Sequence, residues 1–248
     1  EDQRCQRQGH VRSICRERRD EPAGPNRVTI VLALLRQSGA GVSREAPAAF
    51  HAPLFHGLID GLDADERHVV LDLGTASTPM LALLGQSRCR VEIADLAHFG
   101  GVDRLNSTEA GPELVDAGES LLPRRCPGDA IDIVFCWDLP NYLSLDALSV
   151  LMRAIGERAE NGALAHALIA YADRDMKAFP GRFVPTADGE LIDRSGATDA
   201  VEAPRYSPEE LGNSIGGFVI ERARLLSNGM QEFLFRLEKP GTEASARC

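Results

Sequence analysis

The sequence lacks the cysteine spacings of metal-binding and disulfide-rich proteins and the long apolar runs of membrane proteins. Its six cysteines form no Cys-x-x-Cys pair and no Cys/His spacing typical of a zinc site. We therefore expect reduced thiols in a cytoplasmic protein, and neither a metal site nor a disulfide framework. No apolar run approaches the roughly 18 residues that a membrane-spanning helix needs, so no membrane association is predicted.

Positive charge is also in deficit, with 27 Lys and Arg against 37 Asp and Glu and a net charge of −10. An acidic surface repels phosphate groups, so neither general nucleic-acid binding nor binding to anionic membranes is expected. Hydrophobic residues make up 44% of the chain, which is enough for one sizeable core.

Composition divides the chain into three parts. Residues 1–26 are polar and rich in Arg and acids, and such a segment is expected to be disordered, with a basic arm that binds a partner as the alternative. Residues 27–238 are expected to form a single domain and residues 239–248 a tail. Within the domain, the apolar run at 27–37 predicts a short helix and the run at 48–62 predicts another.

The stretch Val69–Leu96 has the pattern of a strand, a turn, a helix and a second strand. Apolar residues dominate its first five positions, as in a strand buried on both faces, and Gly74 ends that strand. Small residues then lead to Pro79, which suits the first turn of a helix, and a second apolar strand ends at Asp95. The stretch therefore predicts a βαβ unit.

The turn after the first strand and the acid after the second are candidate binding residues. Ligands of open α/β sheets bind at the carboxyl ends of the strands. Asp95 lies 21 residues after Gly74, near the spacing at which an acid accepts hydrogen bonds from a ribose diol. The alternative is a plain βαβ unit with a tight turn and no ligand.

A second informative stretch is Ala130–Leu143. Its apolar residues predict another strand buried on both faces, which ends at Trp137 and Asp138. A carboxylate at that position is suited to orient a nucleophile or to take its proton. The alternative is that Asp138 only caps the next helix, a role for which Ser144 competes.

The rest of the chain continues the alternation of helices and strands. A helix is predicted at 144–158 and a strand at 163–171, with His166 as a core histidine. Ser207-Pro208-Glu209-Glu210 predicts a helix start, and Asn228-Gly229 between two β-type runs predicts a hairpin. Residues 172–206 are irregular and are expected to be either a lid or disordered. Five of their side chains are candidates to line a substrate pocket: Phe179, Arg182, Phe183, Arg205 and Tyr206.

The sequence LDLGTAS followed by EIADL resembles motif I and the strand-2 acid of the class I S-adenosylmethionine (SAM) methyltransferases. Asp72 stands two residues before the first glycine, as is characteristic of that family. The usual Gly-x-Gly-x-Gly is here Gly74-Thr75-Ala76-Ser77-Thr78, so two glycines are replaced. The stretch that ends in Trp137-Asp138 resembles strand 4 of the same family, whose carboxyl end faces the transferred methyl group.

The resemblance implies a fold and an activity. The fold is an α/β, Rossmann-like doubly wound sheet in three layers, mostly parallel, with a C-terminal antiparallel hairpin. The activity is methyl transfer from SAM to a small-molecule acceptor, with no metal. The implied catalytic residues are Asp138 and Tyr142. The implied cofactor-binding residues are Asp72, Gly74, Thr75, Ala76, Ser77, Asp95, Leu96, Ser120, Leu121 and Trp137. Ser120 and Leu121 would lie beside the adenine, because 117–123 stands where the family has its third strand. The alternative for 117–123 is a loop that packs Leu121 and Leu122 into the core.

Two other functions stay open at this stage. A methyltransferase-like fold that has lost catalysis and serves as a binding module is favoured by the two missing glycines. A nicotinamide-dependent oxidoreductase is disfavoured by Asp72 and by the terminal hairpin, because a nicotinamide-binding domain would continue with parallel units. The sequence does not name the methyl acceptor or the oligomeric state.

Overall fold

A computed structural model describes residues 29–31, 49–126, 128–196 and 199–240. Its main feature is one seven-stranded sheet. The strands of this sheet are β1 (Thr29–Val31), β3 (Arg67–Asp72), β4 (Arg88–Ile93), β5 (Ile131–Trp137), β6 (Ala159–Ala170), β11 (Phe218–Leu225) and β12 (Met230–Leu237). Five short strands lie outside it: β2 (Ala49–Phe50), β7 (Asp175–Lys177), β8 (Phe183–Pro185), β9 (Leu191–Asp193) and β10 (Ala200–Glu202).

The strand order in the large sheet is β1-β4-β3-β5-β6-β12-β11. The first five strands run parallel, whereas β12 is antiparallel to both of its neighbours. The chain order therefore reverses direction beside β3, which is the switch point where ligands of such sheets bind. The predicted mostly parallel sheet with a terminal hairpin is confirmed.

Helices cover both faces of the sheet. They are α1 (Pro53–Asp60), α2 (Thr78–Leu84), α3 (Gly101–Ser107), α4 (Pro112–Leu121), α5 (Leu145–Arg158) and α6 (Pro208–Ser214), with a short 3-10 helix at Leu139–Tyr142. One buried cluster joins the sheet to α3, α4, α5 and α6, and a second joins its other face to α1 and α2. Side chains of β3 alternate between these clusters, with Leu71 in the first and Val70 in the second. The three predicted layers are thus present, and no described helix is long and apolar enough to cross a membrane.

The third strand predicted at 117–123 is wrong. Most of that segment is the last turn of α4, because Leu114, Ala117 and Gly118 recur at helical spacing and are buried. Gly118 allows α5 to approach closely, since a Cβ there would lie 2.9 Å from Cγ1 of Val150. The sheet position beside β4 is filled instead by β1, from a run predicted to be helical. Its β-branched residues favour a strand, and the rest of that run lies outside the described residues.

The segment between β6 and α6 is more regular than its sequence suggests. It contains β7 paired with β10, and β8 paired with β9, which also pairs with β2 in front of α1. We call this segment, residues 171–207, the insertion. Asp193 links its parts, because the carboxylate accepts hydrogen bonds from Lys177 Nζ at 2.5 Å and from Ser195 Oγ at 2.6 Å. Paired backbone therefore joins the insertion to β2, directly before α1.

Candidate active site

Three acids meet at the carboxyl edge of the sheet, one at the end of each of three adjacent strands. Asp72 is the last residue of β3, Asp95 follows β4 and Asp138 follows β5. Their exposures are only 2%, 5% and 6%, although acids are rarely buried without a partner. The partners of each carboxylate therefore indicate what this edge is built to do.

Two polar side chains lie within hydrogen-bond distance of one carboxylate oxygen of Asp95. Thr75 Oγ1 donates to Asp95 Oδ1 at 3.1 Å, and Nδ1 of His98 lies 3.1 Å from the same oxygen. Both Thr75 and His98 are held on loops, at the end of β3 and after β4 respectively. The structure therefore brings together Asp95 and the turn that follows Gly74, as the sequence predicts.

Asp72 is bound from the side of β5. The indole Nε1 of Trp137 donates to Asp72 Oδ1 at 2.7 Å, and the amide of Gly74 donates to the same oxygen at 2.9 Å. Burial raises the pKa of Asp72 to about 6 despite these two hydrogen bonds, and the nearby charge of Asp95 adds to the rise. Asp72 therefore fixes both the first glycine and the only Trp of the chain.

Two residues at this edge have an unusual backbone. Asp95 has φ 43° and Trp137 has φ 52°, in the left-handed region that residues with a side chain rarely adopt. An Asp tolerates this conformation because it is short and polar, but for a bulky Trp it is a clear outlier. Such strain persists only where surrounding contacts hold it, and it concentrates at functional sites.

Asp138 is held by the insertion. Both of its carboxylate oxygens accept a hydrogen bond from the amide of Gly181, at 3.0 and 2.9 Å, and the hydroxyl of Tyr142 lies 3.5 Å from Oδ2. Burial raises the pKa of Asp138 to about 7, against the lowering effect of the Gly181 amide. The side chain caps no helix, and Ser144 caps α5 through a hydrogen bond from the amide of Ala147. The alternative of a purely capping Asp138 is therefore wrong.

Tyr142 lies beside Asp138 but points to the insertion. Its hydroxyl donates to the carbonyl oxygen of Phe179 at 2.9 Å. Burial, with the charges of Asp138 and Asp193, raises the pKa of Tyr142 above its ordinary value. At neutral pH the phenol is therefore a hydrogen-bond donor and not a base.

Aromatic rings enclose the Trp137 side of the site. The indole stacks on Phe183 of the insertion, with ring centroids 5.8 Å apart and 16° between the planes. It also packs against Phe55 of α1 at 5.7 Å and against Phe135 at 5.5 Å. Of the five pocket residues proposed in the insertion, Phe183 is thus at the site, whereas Phe179 and Arg205 are exposed.

Helix α1 is fixed over this aromatic cluster by the buried carboxylate of Glu232. Glu232 of β12 accepts hydrogen bonds from the amides of Leu54 and Phe55 at 2.9 and 2.8 Å, and from His166 at 2.9 Å. Burial opposes ionisation, but the bond to His166 and the two amides lower the pKa of Glu232. His166 is the buried core histidine that the sequence predicts, although its Nδ1 has no hydrogen-bond partner among the described residues.

The remaining cofactor candidates divide into two groups. Ser77 caps α2 by accepting from the amide of Met80 at 3.3 Å, and Ala76 packs against the α1 side of the core, so both lie next to Gly74. Leu96 follows Asp95, but its side chain is buried in the opposite core cluster.

Ser120 and Leu121 are not brought to the site. They end α4, and the next residues, Leu122 and Pro123, line a small cavity together with Ile131 at the first residue of β5. That is the amino edge of the sheet, opposite the three acids. Their assignment to the adenine followed from the wrong third strand.

Sequence reasoning also missed residues that the structure places at this edge. His98 shares Asp95 with Thr75, and its only sequence signal is a polar side chain three positions after the acid. Gly181 lies in a stretch without regular pattern, and nothing in the sequence links it to Asp138. No group of three His, Cys, Asp or Glu among the described residues is placed to hold a metal ion.

Comparison with known proteins gives matches only at the level of structure. No family model matches the chain, and no curated protein matches its sequence. A SAM-dependent methyltransferase from Clostridium acetobutylicum is 14% identical, with 75% of this chain and 89% of that chain covered and a TM-score of 0.42. The 1,6-didemethyltoxoflavin-N1-methyltransferase of Burkholderia thailandensis, solved with its substrate and S-adenosylhomocysteine, is 16% identical, with 75% and 76% covered and a TM-score of 0.41.

The pyocyanin biosynthetic protein PhzM is 14% identical over 74% of this chain, with a TM-score of 0.41, and this chain spans only 54% of its length. These scores are low, so the fold assignment rests on the strand order and directions described above. Five parallel strands with helices on both faces are extended by a hairpin whose last strand inserts beside β6. The chain therefore has a class I SAM methyltransferase-like fold.

Proposed function

We propose that the chain is a SAM-dependent methyltransferase that acts on a small-molecule acceptor. The observation that supports it most is Asp95, a buried carboxylate at the switch-point edge whose present partners are the side chains of Thr75 and His98 and, at 3.4 Å, the amide of His98. Hydroxyl groups of a ribose offer the same kind of donor, so a nucleoside can replace these partners without leaving the acid unpaired. Gly74, one strand away, offers backbone without a side chain.

The residues at the edge fit the two halves of this cofactor. Asp95 would hold the ribose, and the turn from Gly74 to Ser77 would lie along the methionine half. When bound, SAM supplies a methyl group already activated on a sulfonium, so the protein mainly has to position the acceptor in line and exclude water. The aromatic cluster of Phe55, Trp137 and Phe183 supplies such a dry wall.

Asp138 would act on the acceptor. Its pKa of about 7 is far above that of an ordinary Asp and near the working pH, which is where a general base is most effective. The hydroxyl of Tyr142 lies beside it and donates to the Phe179 carbonyl, so its oxygen would orient an acceptor by accepting a hydrogen bond from it. An acceptor with a neutral hydroxyl or amine would lose its proton to Asp138 as the methyl group arrives.

Calorimetry on Asp95→Ala is the direct test. Charge-assisted hydrogen bonds to the ribose are each worth about 1.5–3 kcal/mol, so binding of SAM and S-adenosylhomocysteine should weaken by about one to three powers of ten. The affinity for adenosine should fall by a similar factor, because adenosine keeps the ribose. The affinity for methionine should not change. Asp116→Ala, an exposed acid on α4, is the matched control and should bind like wild type. Unchanged affinity in folded Asp95→Ala protein would refute the proposal.

A catalytically inactive binding module is the second candidate function. It is favoured by two observations: Ala76 and Thr78 stand where the family has glycines, and the indole of Trp137 lies directly over Gly74. A panel of small-molecule acceptors separates the two functions. Adenosyl ligands that bind in an Asp95-dependent way, with no methyl transfer to any acceptor, would favour the module.

A further inference from the structure

The indole of Trp137 occupies the space in front of the first glycine of the turn. A Cβ built on Gly74 would lie 2.6 Å from Cδ1 and 2.8 Å from Nε1 of the indole, so the ring touches the glycine backbone itself. The methionine half of the proposed cofactor would approach that same backbone. The ribose half would not, because Asp95 lies at the end of a different strand on the far side of β3.

Four contacts hold the ring in this position. Its Nε1 donates to Asp72 Oδ1 at 2.7 Å, it stacks on Phe183 and on Phe135, and Phe55 packs beside it. Phe183 belongs to β8 of the insertion and Phe55 to α1, so two separate elements close over the indole. The result is a Trp side chain with only 5% exposure at an edge where a ligand is expected.

The backbone under the ring works against these contacts. Trp137 has φ 52°, which is unfavourable for a residue with a large side chain and persists only while the surroundings impose it. Trp137 therefore combines side-chain contacts that favour one position of the ring with a strained backbone of the kind that occurs at switch sites.

We propose that Trp137 is a gate on the methionine half of the cofactor site. Its indole must move off Gly74 before a ligand with an amino-acid chain binds, whereas a nucleoside alone binds at Asp95 with the gate shut. This inference rests on the proposed function, and it adds a residue that sets the relative affinity for nucleosides and adenosyl amino acids. A ligand that needs an open gate binds more weakly by the factor that opening costs.

Trp137 is the only Trp of the chain, so its fluorescence reports the gate in the wild-type protein. Titration with S-adenosylhomocysteine should shift the emission to longer wavelength and saturate at the affinity that calorimetry gives. Titration with adenosine should leave the emission unchanged while calorimetry records binding. A spectrum that does not respond to bound S-adenosylhomocysteine would overturn the gate.

Trp137→Phe removes the hydrogen bond to Asp72 and keeps an aromatic ring. Loss of a bond to a charged acceptor should favour the open position by roughly tenfold, so S-adenosylhomocysteine should bind about tenfold more tightly. Adenosine affinity should stay within about twofold, since that ligand does not need an open gate. Phe183→Leu, which removes the stacking partner without touching Trp137, should change the ratio of the two affinities in the same direction.

The control is Phe235→Leu, which removes a buried ring from the opposite core cluster and should leave that ratio unchanged. A ratio that is the same in wild type, Trp137→Phe and Phe183→Leu overturns the gate, and Asp95-dependent binding in the same proteins then leaves the proposed function standing. No binding of any adenosyl ligand to wild type or to the variants overturns the proposed function, and the gate with it.

Discussion

Replacing Asp138 by Asn should stabilise the protein at neutral and higher pH while it lowers activity. The carboxyl group has a folded-state pKa of about 7 against an ordinary value of 3.8, because it is buried. A group whose pKa is raised on folding favours the folded state only while it is protonated. Its ionisation therefore costs stability progressively from about pH 4 to about pH 7, and fully above that range.

The size of the effect follows from that shift. Three pKa units correspond to about 4 kcal/mol at 1.36 kcal/mol per unit, which is an upper limit for the gain in Asp138→Asn at pH 8. The Asn side chain keeps an oxygen that accepts from the Gly181 amide, so the local structure should survive. Near pH 4 both proteins carry a neutral group at this position, and the difference should vanish.

Urea unfolding at pH 4.5, 6 and 8 measures this difference directly as a change in midpoint at constant slope. Asp116→Asn, at an exposed position on α4, is the control and should show no such trend. Turnover of Asp138→Asn should fall by about two to four powers of ten if Asp138 is the base, with SAM affinity unchanged. An Asn variant that is less stable than wild type at pH 8 would show that Asp138 is a stabilising carboxylate, and would refute the reasoning.

Two further predictions concern the stability of the fold, at Glu232 and at Ser207. Glu232→Ala should lower the free energy of unfolding by about 3–5 kcal/mol, because it leaves His166 and two amides of α1 in the core without their hydrogen-bond partner. The control is Glu160→Ala, at an exposed position, which should cause no such loss. Ser207→Ala should cost about 0.5–2 kcal/mol by removing the capping box of α6, with ligand affinity unchanged. Denaturant unfolding and calorimetry check both, and a Glu232→Ala protein as stable as wild type would contradict the first.

The sequence predicted those parts of the fold that depend on local pattern. Buried parallel strands are continuous apolar runs, and β3 and β5 were recognisable for that reason. Caps and turns also depend on a few adjacent residues, so the starts of α5 and α6 and the terminal hairpin were predicted. These features owe little to distant parts of the chain.

The errors occur where tertiary contacts decide. The run Glu119-Ser-Leu-Leu-Pro123 has no strong period, and its first three residues belong to α4, where Gly118 lets the helix pack closely against Val150 of α5. The strand beside β4 comes from residues 29–31, far from β4 in sequence, so no local signal assigns it to that position. The short strands of the insertion exist only through pairing with each other and with β2.

The site shows the same division. Asp72, Asp95 and Asp138 were predicted because each follows an apolar run, and strand ends meet at one edge of a parallel sheet. The hydrogen-bond partner of each carboxylate was not predictable, since His98, Trp137 and Gly181 come from a loop, another strand and the insertion. Those partners decide the chemistry, because they set which acid is available to a ligand.

The three carboxylates differ in what a ligand must displace. At Asp95 it displaces two polar side chains on loops, which can turn to water at little cost. At Asp72 it displaces an indole that stacks on Phe183 of the insertion and packs against Phe55 of α1, and at Asp138 a backbone amide of the insertion itself. A ligand can therefore reach Asp95 first, while access to Asp72 and Asp138 requires Phe183 and Gly181 to move. Because both belong to one short stretch in front of and within β8, a single displacement of that stretch would open the methionine half and the acceptor position together.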